Sequence, residues 1–295
     1  MAGIDPALQA HLEGGLTTVC HAWKITRKDG VCLAFTDHDL PLTFEGVAFR
    51  ADAGLSARAI AQTTGLSVDN TEAVGALSDA SIREDEIEQG RFDGAEVQAW
   101  LVNWADVSQR WLQFRGTIGE MKRAGGAFRA ELRGLTEVLN RTLGRVYQKP
   151  CTAVLGDKQC RFNAGLPGYS ITLAVDIEDR GRSFIWDALP GFDPEFFIRG
   201  RLEVLNGTAA GLFGLIKHDR TKGKKRVIEL WEPIKGNVST GTQVRLLAGC
   251  NKQMETCRLK FDNLLNFQGF PDLPGEDWVV AVPKSTGPNS GGSLR

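Results

Sequence analysis

Four of the six cysteines fall into two short loops, CTAVLGDKQC (residues 151–160) and CNKQMETC (residues 250–257). Eight residues separate Cys151 from Cys160, six separate Cys250 from Cys257, and about 90 lie between the pairs. Thiolates bind soft and borderline metals well, and four of them can complete a tetrahedral zinc site or hold an iron–sulfur cluster. Structural zinc usually takes hooks with about two to four residues between ligands, so these wider loops leave room for a bulkier cluster. The competing reading is four unrelated core thiols. The loop interiors, LGDKQ and NKQME, are polar and turn-rich, unlike core strands. Cys20 and Cys32 lie in a predicted hairpin and read as small buried hydrophobes.

Two other clusters carry chemical potential. TDHD (residues 36–39) offers two carboxylates and an imidazole, a metal site on one reading and a solvated turn at a strand end on the other. RTKGKKR (residues 220–226) could grip phosphate, or be the wet tip of a hairpin. There is no H-E-x-x-H, no G-x-S-x-G and no phosphate-binding glycine loop. The four histidines, His11, His21, His38 and His218, show no local sign of a nucleophile, base and orienting group together.

The elements that must position these groups are mostly strands. Residues 4–14 read as a short helix stopped by Gly14 and Gly15. AWKITRKDGVCLAFTDHDL reads as a hairpin about Asp29 and Gly30, and GVAFRA continues in the same style. DASIREDEIEQG reads as a helix with Ser81 and Glu84 as a capping box and Gly90 as its stop. AEVQAWLVNW, WLQFRGTIGEM and GAFRAELRG alternate as paired strands, and GLTEVLNRTLG reads as a helix of about three turns. Beyond the first cysteine loop, SITLAVDI alternates strictly and EFFIRGRLEVLNG reads as a strand pair around Gly200. GLFGLIKHDRTKGKKRVIELWEPI reads as a hairpin with a basic tip, and TQVRLLAG runs into the second cysteine loop. NLLNFQGFPDLPGEDWVV reads as a docked irregular segment.

The chain has 295 residues, 42% of them hydrophobic, which is enough to fill a core. Its net charge of −1 gives no bulk electrostatic case for nucleic acid or an acidic membrane. MAGIDPALQAHLEGG has no basic start or long apolar run, and no segment reaches the roughly 18 apolar residues of a membrane helix. Synthesis in the cytoplasm with no membrane anchor is expected, and there clustered cysteines point to metal or catalysis before disulfides. The expected fold is mainly β, with β-barrel or sandwich-like domains and a few short helices. The expected division is an N-terminal β-rich domain over residues 1–147, a C-terminal β domain over 148–283 and a flexible tail over 284–295.

CTAVLGDKQCRF, RLEVLNGTAAG and AGCNKQMETCRLKFDNLLNFQGFPDLPG together resemble the C-terminal domain of tail-tip (baseplate) hub proteins of long-tailed phages and gene transfer agents. W-x-I-x-x-x-D-G from Trp23, FTDHD and the AEVQAWLVNW region resemble the matching N-terminal domain. The resemblance covers about residues 15–282. It implies a structural, non-enzymatic virion protein that forms a ring, a homotrimer, between the distal tail protein and the large receptor-binding or fibre-bearing protein. The ring would convert six-fold to three-fold symmetry; DNA passage through its centre is compatible with the resemblance and is not implied by it. The resemblance also implies that Cys151, Cys160, Cys250 and Cys257 hold an iron–sulfur cluster of the [4Fe-4S] type. The aromatic segment after Cys257, with Phe261, Phe267, Phe270 and Trp278, is then expected to pack around it and limit access of water and oxygen. The alternatives are a zinc-stapled binding module and a tail-associated cell-wall or redox enzyme.

Overall fold

The structure, a computed structural model, describes residues 4–51, 55–57, 70–76, 83–124, 127–134 and 144–273. The fold is mainly β, with two curled seven-stranded antiparallel sheets. The chain divides into two compact units, Met1–Leu143 and Gly144–Arg295.

The first unit opens with helix α1 (Pro6–Glu13), whose N-cap Asp5 accepts a hydrogen bond from the Ala7 amide. Strands β1 (Val19–Thr26) and β2 (Cys32–Thr36) form the hairpin expected about Asp29 and Gly30. Gly30 has φ 88°, and the Asp29 carboxylate accepts from the Val31 amide, so each turn residue answers a local need. β3 (Leu42–Phe44) and β4 (Val47–Phe49) form a small hairpin of their own. With β5 (Leu55–Ala57), β6 (Asn70–Ala76), β7 (Glu96–Asn103), β8 (Arg110–Ala124) and β9 (Ala127–Gly134), the main sheet runs β2-β1-β7-β8-β9-β6-β5.

In the adjacent strands β1 and β7 the buried face switches midway, and the two strands switch together. On β1, Cys20 and Ala22 enter one apolar cluster while Trp23 and Ile25 enter another. Their partners on β7 do the same: Val102 and Trp100 join the first, Ala99 and Val97 the second. The small β3–β4 hairpin covers the first cluster, where the Phe44 and Phe49 rings stack at 4.1 Å and Trp100 meets both edge-on.

Helix α2 is shorter than expected, Glu84–Glu88, with Arg83 at the N-cap position and no side-chain capping bond from it. The expected capping residue Ser81 lies outside the described residues, as do residues 135–143 of the expected helix GLTEVLNRTLG. Helix α2 still stops at Gly90, at φ 70°.

In the second unit, β10 (Ser170–Ala174), β11 (Ile177–Asp179), β12 (Ser183–Trp186), β13 (Arg201–Val204), β14 (Phe213–Lys222), β15 (Lys225–Leu230) and β16 (Gln243–Leu247) form a sheet of order β10-β16-β13-β14-β15-β12-β11. SITLAVDI is split between two strands: β10 ends at Ala174, buried Val175 still exchanges backbone hydrogen bonds with Thr242 and Gly241, and the chain then crosses to pair with β12. The expected strand before Gly200 is a series of turns, with Glu195 and Arg199 at positive φ. Its apolar character serves packing: Phe197 is fully buried and meets Phe192 and Phe196 ring to ring.

The basic hairpin is only partly a wet tip. Arg226 and Asp219 form a buried ion pair, with side chains 6% and 0% exposed and two guanidinium–carboxylate bonds of 2.5 and 2.9 Å. Arg226 also donates to the carbonyls of Phe192 and Asp193, and Asp219 accepts from the Phe197 amide. The pair thus ties β14 and β15 to the turns before β13. Removing one member of a buried pair leaves an uncompensated charge, at a cost of about 3–5 kcal/mol. Arg226→Met is expected to lower stability in chemical denaturation by about that amount, whereas Lys224→Met at the exposed tip stays within about 0.5 kcal/mol of the parent.

Candidate metal centre

Strand pairing brings the two cysteine loops together. β10 and β16 are antiparallel, with Ser170 opposite Leu247. The segment just before β10, which carries the first loop, therefore lies beside the segment just after β16, which opens the second. The Ala248 amide donates to the Tyr169 carbonyl, extending this pairing outward, and the Cys151 amide donates to the Lys252 carbonyl at 2.8 Å.

The first loop is shaped by Asp157. Its carboxylate accepts from the backbone amides of Val154, Gln159 and Cys160 at 2.7 to 2.9 Å. The Cys160 amide bond is the largest influence holding the Asp157 carboxyl below the ordinary carboxylate value, against a smaller opposing effect of burial. Gly156 supplies φ 86° at the bend.

The second loop leaves β16 through Gly249, where an added Cβ would stand 1.6 Å from the Ile198 carbonyl oxygen, so no side chain fits. Lys252 turns the chain at φ 68° and donates through Nζ to the Ala153 carbonyl in the first loop. Helix α3 (Met254–Leu259) then carries Cys257, which is buried. Lys260 anchors the end of this segment, its ammonium bonded to the carbonyls of Phe196 and Gly249 at 2.7 and 2.9 Å. Burial pushes its pKa down despite the nearby Cys250 and Asp219.

Cys151, Cys160, Cys250 and Cys257 line one small cavity, closed on its apolar side by Phe261 and Phe267. None of the six cysteines is in a disulfide. Burial, followed by the charge of the other three thiols, pushes Cys257 up to about 11. Two donors face the sulfurs: the Gln268 amide toward Cys151 at 3.4 Å and Asn263 Nδ2 toward Cys160 at 3.5 Å. Asn263 also binds the Cys160 carbonyl, and its own carbonyl accepts from the Cys257 thiol at 3.3 Å, so one side chain and its backbone link both loops. Among the described residues, no group of three or more His, Cys, Asp or Glu side chains is arranged to hold a metal ion. Phe270 lies farther out, packed on Tyr147 and Arg145, and Trp278 lies outside the described residues.

The other candidates separate from this centre. In TDHD, Thr36 Oγ1 donates to the His21 carbonyl and the Leu40 amide donates to His38 Nδ1. Asp37 accepts from the His21 backbone amide at 2.6 Å and stands 3.0 Å from its Nδ1. These groups are spent on a turn. Cys20 is buried, as expected, but Cys32 is exposed. Asp157 and Asn263 were not singled out from the sequence. The LGD within the first loop was a usable turn signal, whereas nothing local pointed to Asn263.

The N-terminal attachment domain of baseplate hub proteins matches residues 5–163. A second family, described as phage conserved hypothetical protein BR0599, matches residues 195–277. No curated protein matches the chain. Among solved structures, a chain from the virion of a native gene transfer agent (GTA) particle is similar at 50% identity and a TM-score of 0.91, over 99% of this chain and 100% of that one. No helix among the described residues is long and apolar enough to cross a membrane.

The His21–Asp37 pair yields a pH prediction. The Asp37 hydrogen bond holds His21 above its ordinary value of 6.5 against the effect of burial. For Asp37, burial works upward, but the bonds from the His21 side chain and backbone together hold the carboxyl below 3.8. The histidine's contribution to stability is therefore full below pH 6.5 and lost as pH rises through the raised folded value. An NMR titration is expected to place the His21 midpoint above 6.5, returning toward 6.5 in Asp37→Asn.

Proposed function

We propose a role from one premise: the chain belongs to the baseplate hub protein family that carries the N-terminal attachment domain, and it is a structural part of a phage-like tail tip, not an enzyme. On this reading the chain forms a homotrimeric ring at the tip. The ring sits between the distal tail protein and the large receptor-binding or fibre-bearing protein, and DNA passes through its centre. The observation that carries the reading is the end-to-end likeness to a chain of a virion. A likeness over the whole of both chains speaks for a shared place in a particle, where a match to one domain would speak only for a shared fold.

The same reading makes the four-thiol cavity an iron–sulfur site of the [4Fe-4S] type, held by Cys151, Cys160, Cys250 and Cys257. The residues fit such a group. The donors are all thiols, soft ligands that suit iron–sulfur clusters and zinc. Gln268 and Asn263 direct N–H groups at two sulfurs, a common way to stabilise and tune thiolate ligands. The four thiols line one cavity, and the wide spacing within each loop leaves room for a group bulkier than a single zinc ion. When bound, such a cluster supplies metal–thiolate bonds that fasten the two loops. The chain's own residues do the rest: Asp157 holds the first loop's turn, Gly249 and Lys260 seat the second, and Phe261 and Phe267 exclude water from one side.

Two measurements test this. Mass spectrometry and tip-directed immunolabelling of purified particles are expected to find the chain at one tail end; particles lacking it would sink the hub reading. Protein purified without oxygen is expected to contain about four iron and four acid-labile sulfide per chain, and Cys160→Ser to lose them. Zinc alone, with no sulfide, would replace the cluster with a zinc staple and remove any redox role.

A further inference from the structure

Beside the cysteine loops, the second unit carries a groove of about 990 Å³ on the sheet face turned away from its core. Alternation along the strands builds it. On β13, Leu202 and Val204 are buried in the core, while Arg201 and Glu203 line the groove. On β14, Gly214 and Ile216 are buried, while Phe213 and Leu215 line the groove with 57% and 55% of their surface exposed. The first cysteine loop and the residues just after it form one wall.

The charge of this groove departs from that of the chain. Five cations line it, Arg161, Arg199, Arg201, Arg245 and Lys252, against two carboxylates, although the whole chain carries −1. Glu203 is shared between Arg201 and Arg245, and Asp157 is engaged by three backbone amides. Arg161 and Arg199 have no carboxylate partner among the described residues; each donates only to a backbone carbonyl, of Lys158 and Asn251. Arg161, Arg199 and Lys252 also sit at φ 58°, 63° and 68°, a conformation that favours glycine. Strained non-glycine positions gather where a side chain is needed for binding more than the backbone needs ease.

We infer that this groove receives an acidic peptide segment bearing large apolar side chains, presented by a different protein of the tail tip. The inference rests on the hub reading. Net positive charge selects for carboxylates, and exposed Phe213 and Leu215 select for apolar side chains between them. A nucleic-acid backbone fits less well. It needs a run of unopposed cations, and the floor here holds the Glu203 carboxylate between two of the five.

The test replaces Leu215 with the photocrosslinker p-benzoylphenylalanine and irradiates assembled particles. Mass spectrometry is expected to find a crosslinked peptide from another particle protein, with more Asp and Glu than Lys and Arg. Paired Arg161→Glu and Arg199→Glu is expected to cut the yield by about tenfold, and the milder Arg161→Gln with Arg199→Gln by about threefold, as steering charges do. Lys224→Glu, outside the groove, leaves it unchanged. A crosslink to DNA, to a basic or neutral peptide or to a second copy of this chain overturns the inference. So does no crosslink in particles that contain the chain, or a yield indifferent to both arginine pairs. Particles that lack the chain overturn the hub reading instead, and the inference with it.

Discussion

The antiparallel pairing of β10 with β16 is the constraint on which the second unit's site depends. The strands are far apart in sequence, yet Ser170 stands opposite Leu247, and the cysteine loops leave from that same end. Close approach makes the junction possible. At Gly200 an added Cβ would stand 2.1 Å from the Leu247 carbonyl oxygen, and at Gly249 it would stand 1.6 Å from that of Ile198. Backbone can run this near backbone only where both residues lack a side chain. The hydrogen bond from Cys151 to Lys252 and the ammonium of Lys252 on Ala153 then join one loop to the other.

This changes how a staple at the four thiols would stabilise the fold. A cross-link between distant residues is usually credited with closing a long loop in the unfolded chain. Here the sheet already closes that loop in the folded state. A group that binds only the assembled thiols stabilises through its binding free energy, realised once the strands have paired. Its local effect falls on the loops themselves, which have little regular structure: one turn held by Asp157, the short helix α3 and the link through Asn263.

How far the site was legible in the sequence depends on where each residue's partner lies. The cysteine loops could be read because thiol chemistry resides in residue identity and spacing. Asn263 could not, since its partner Cys160 is 103 residues away and no local pattern announces the contact. Arg226 offers a finer case. Alternation on β15 puts it in line with Ile228 and Leu230, on the core face, so its burial was available to a strict period-two reading. Its partner was hidden. A register shift between Ile216 and His218 changes the parity of β14, so that Asp219 and not His218 is buried. The hairpin about Gly30 and most strands followed from alternation and turn residues. The apolar run before Gly200 predicts a strand and forms a series of turns instead, because an apolar run can fill a core without pairing as a strand.

The two family matches divide the cysteines: the first loop falls within residues 5–163, the second within 195–277. Neither segment carries more than two of the four thiols. Both loops nevertheless lie in one compact unit, which begins at Gly144. The four thiols face one cavity, and a metal–thiolate bond forms on the deprotonated sulfur. On the proposed reading, metal binding is therefore coupled to release of the thiol protons and to completion of the set. Two thiols from one loop would leave a cluster's other irons without protein ligands. On that reading the loops act as one functional element, joined by the pairing of β10 with β16, and the shared wall with the basic groove places that element beside the surface proposed to meet a partner.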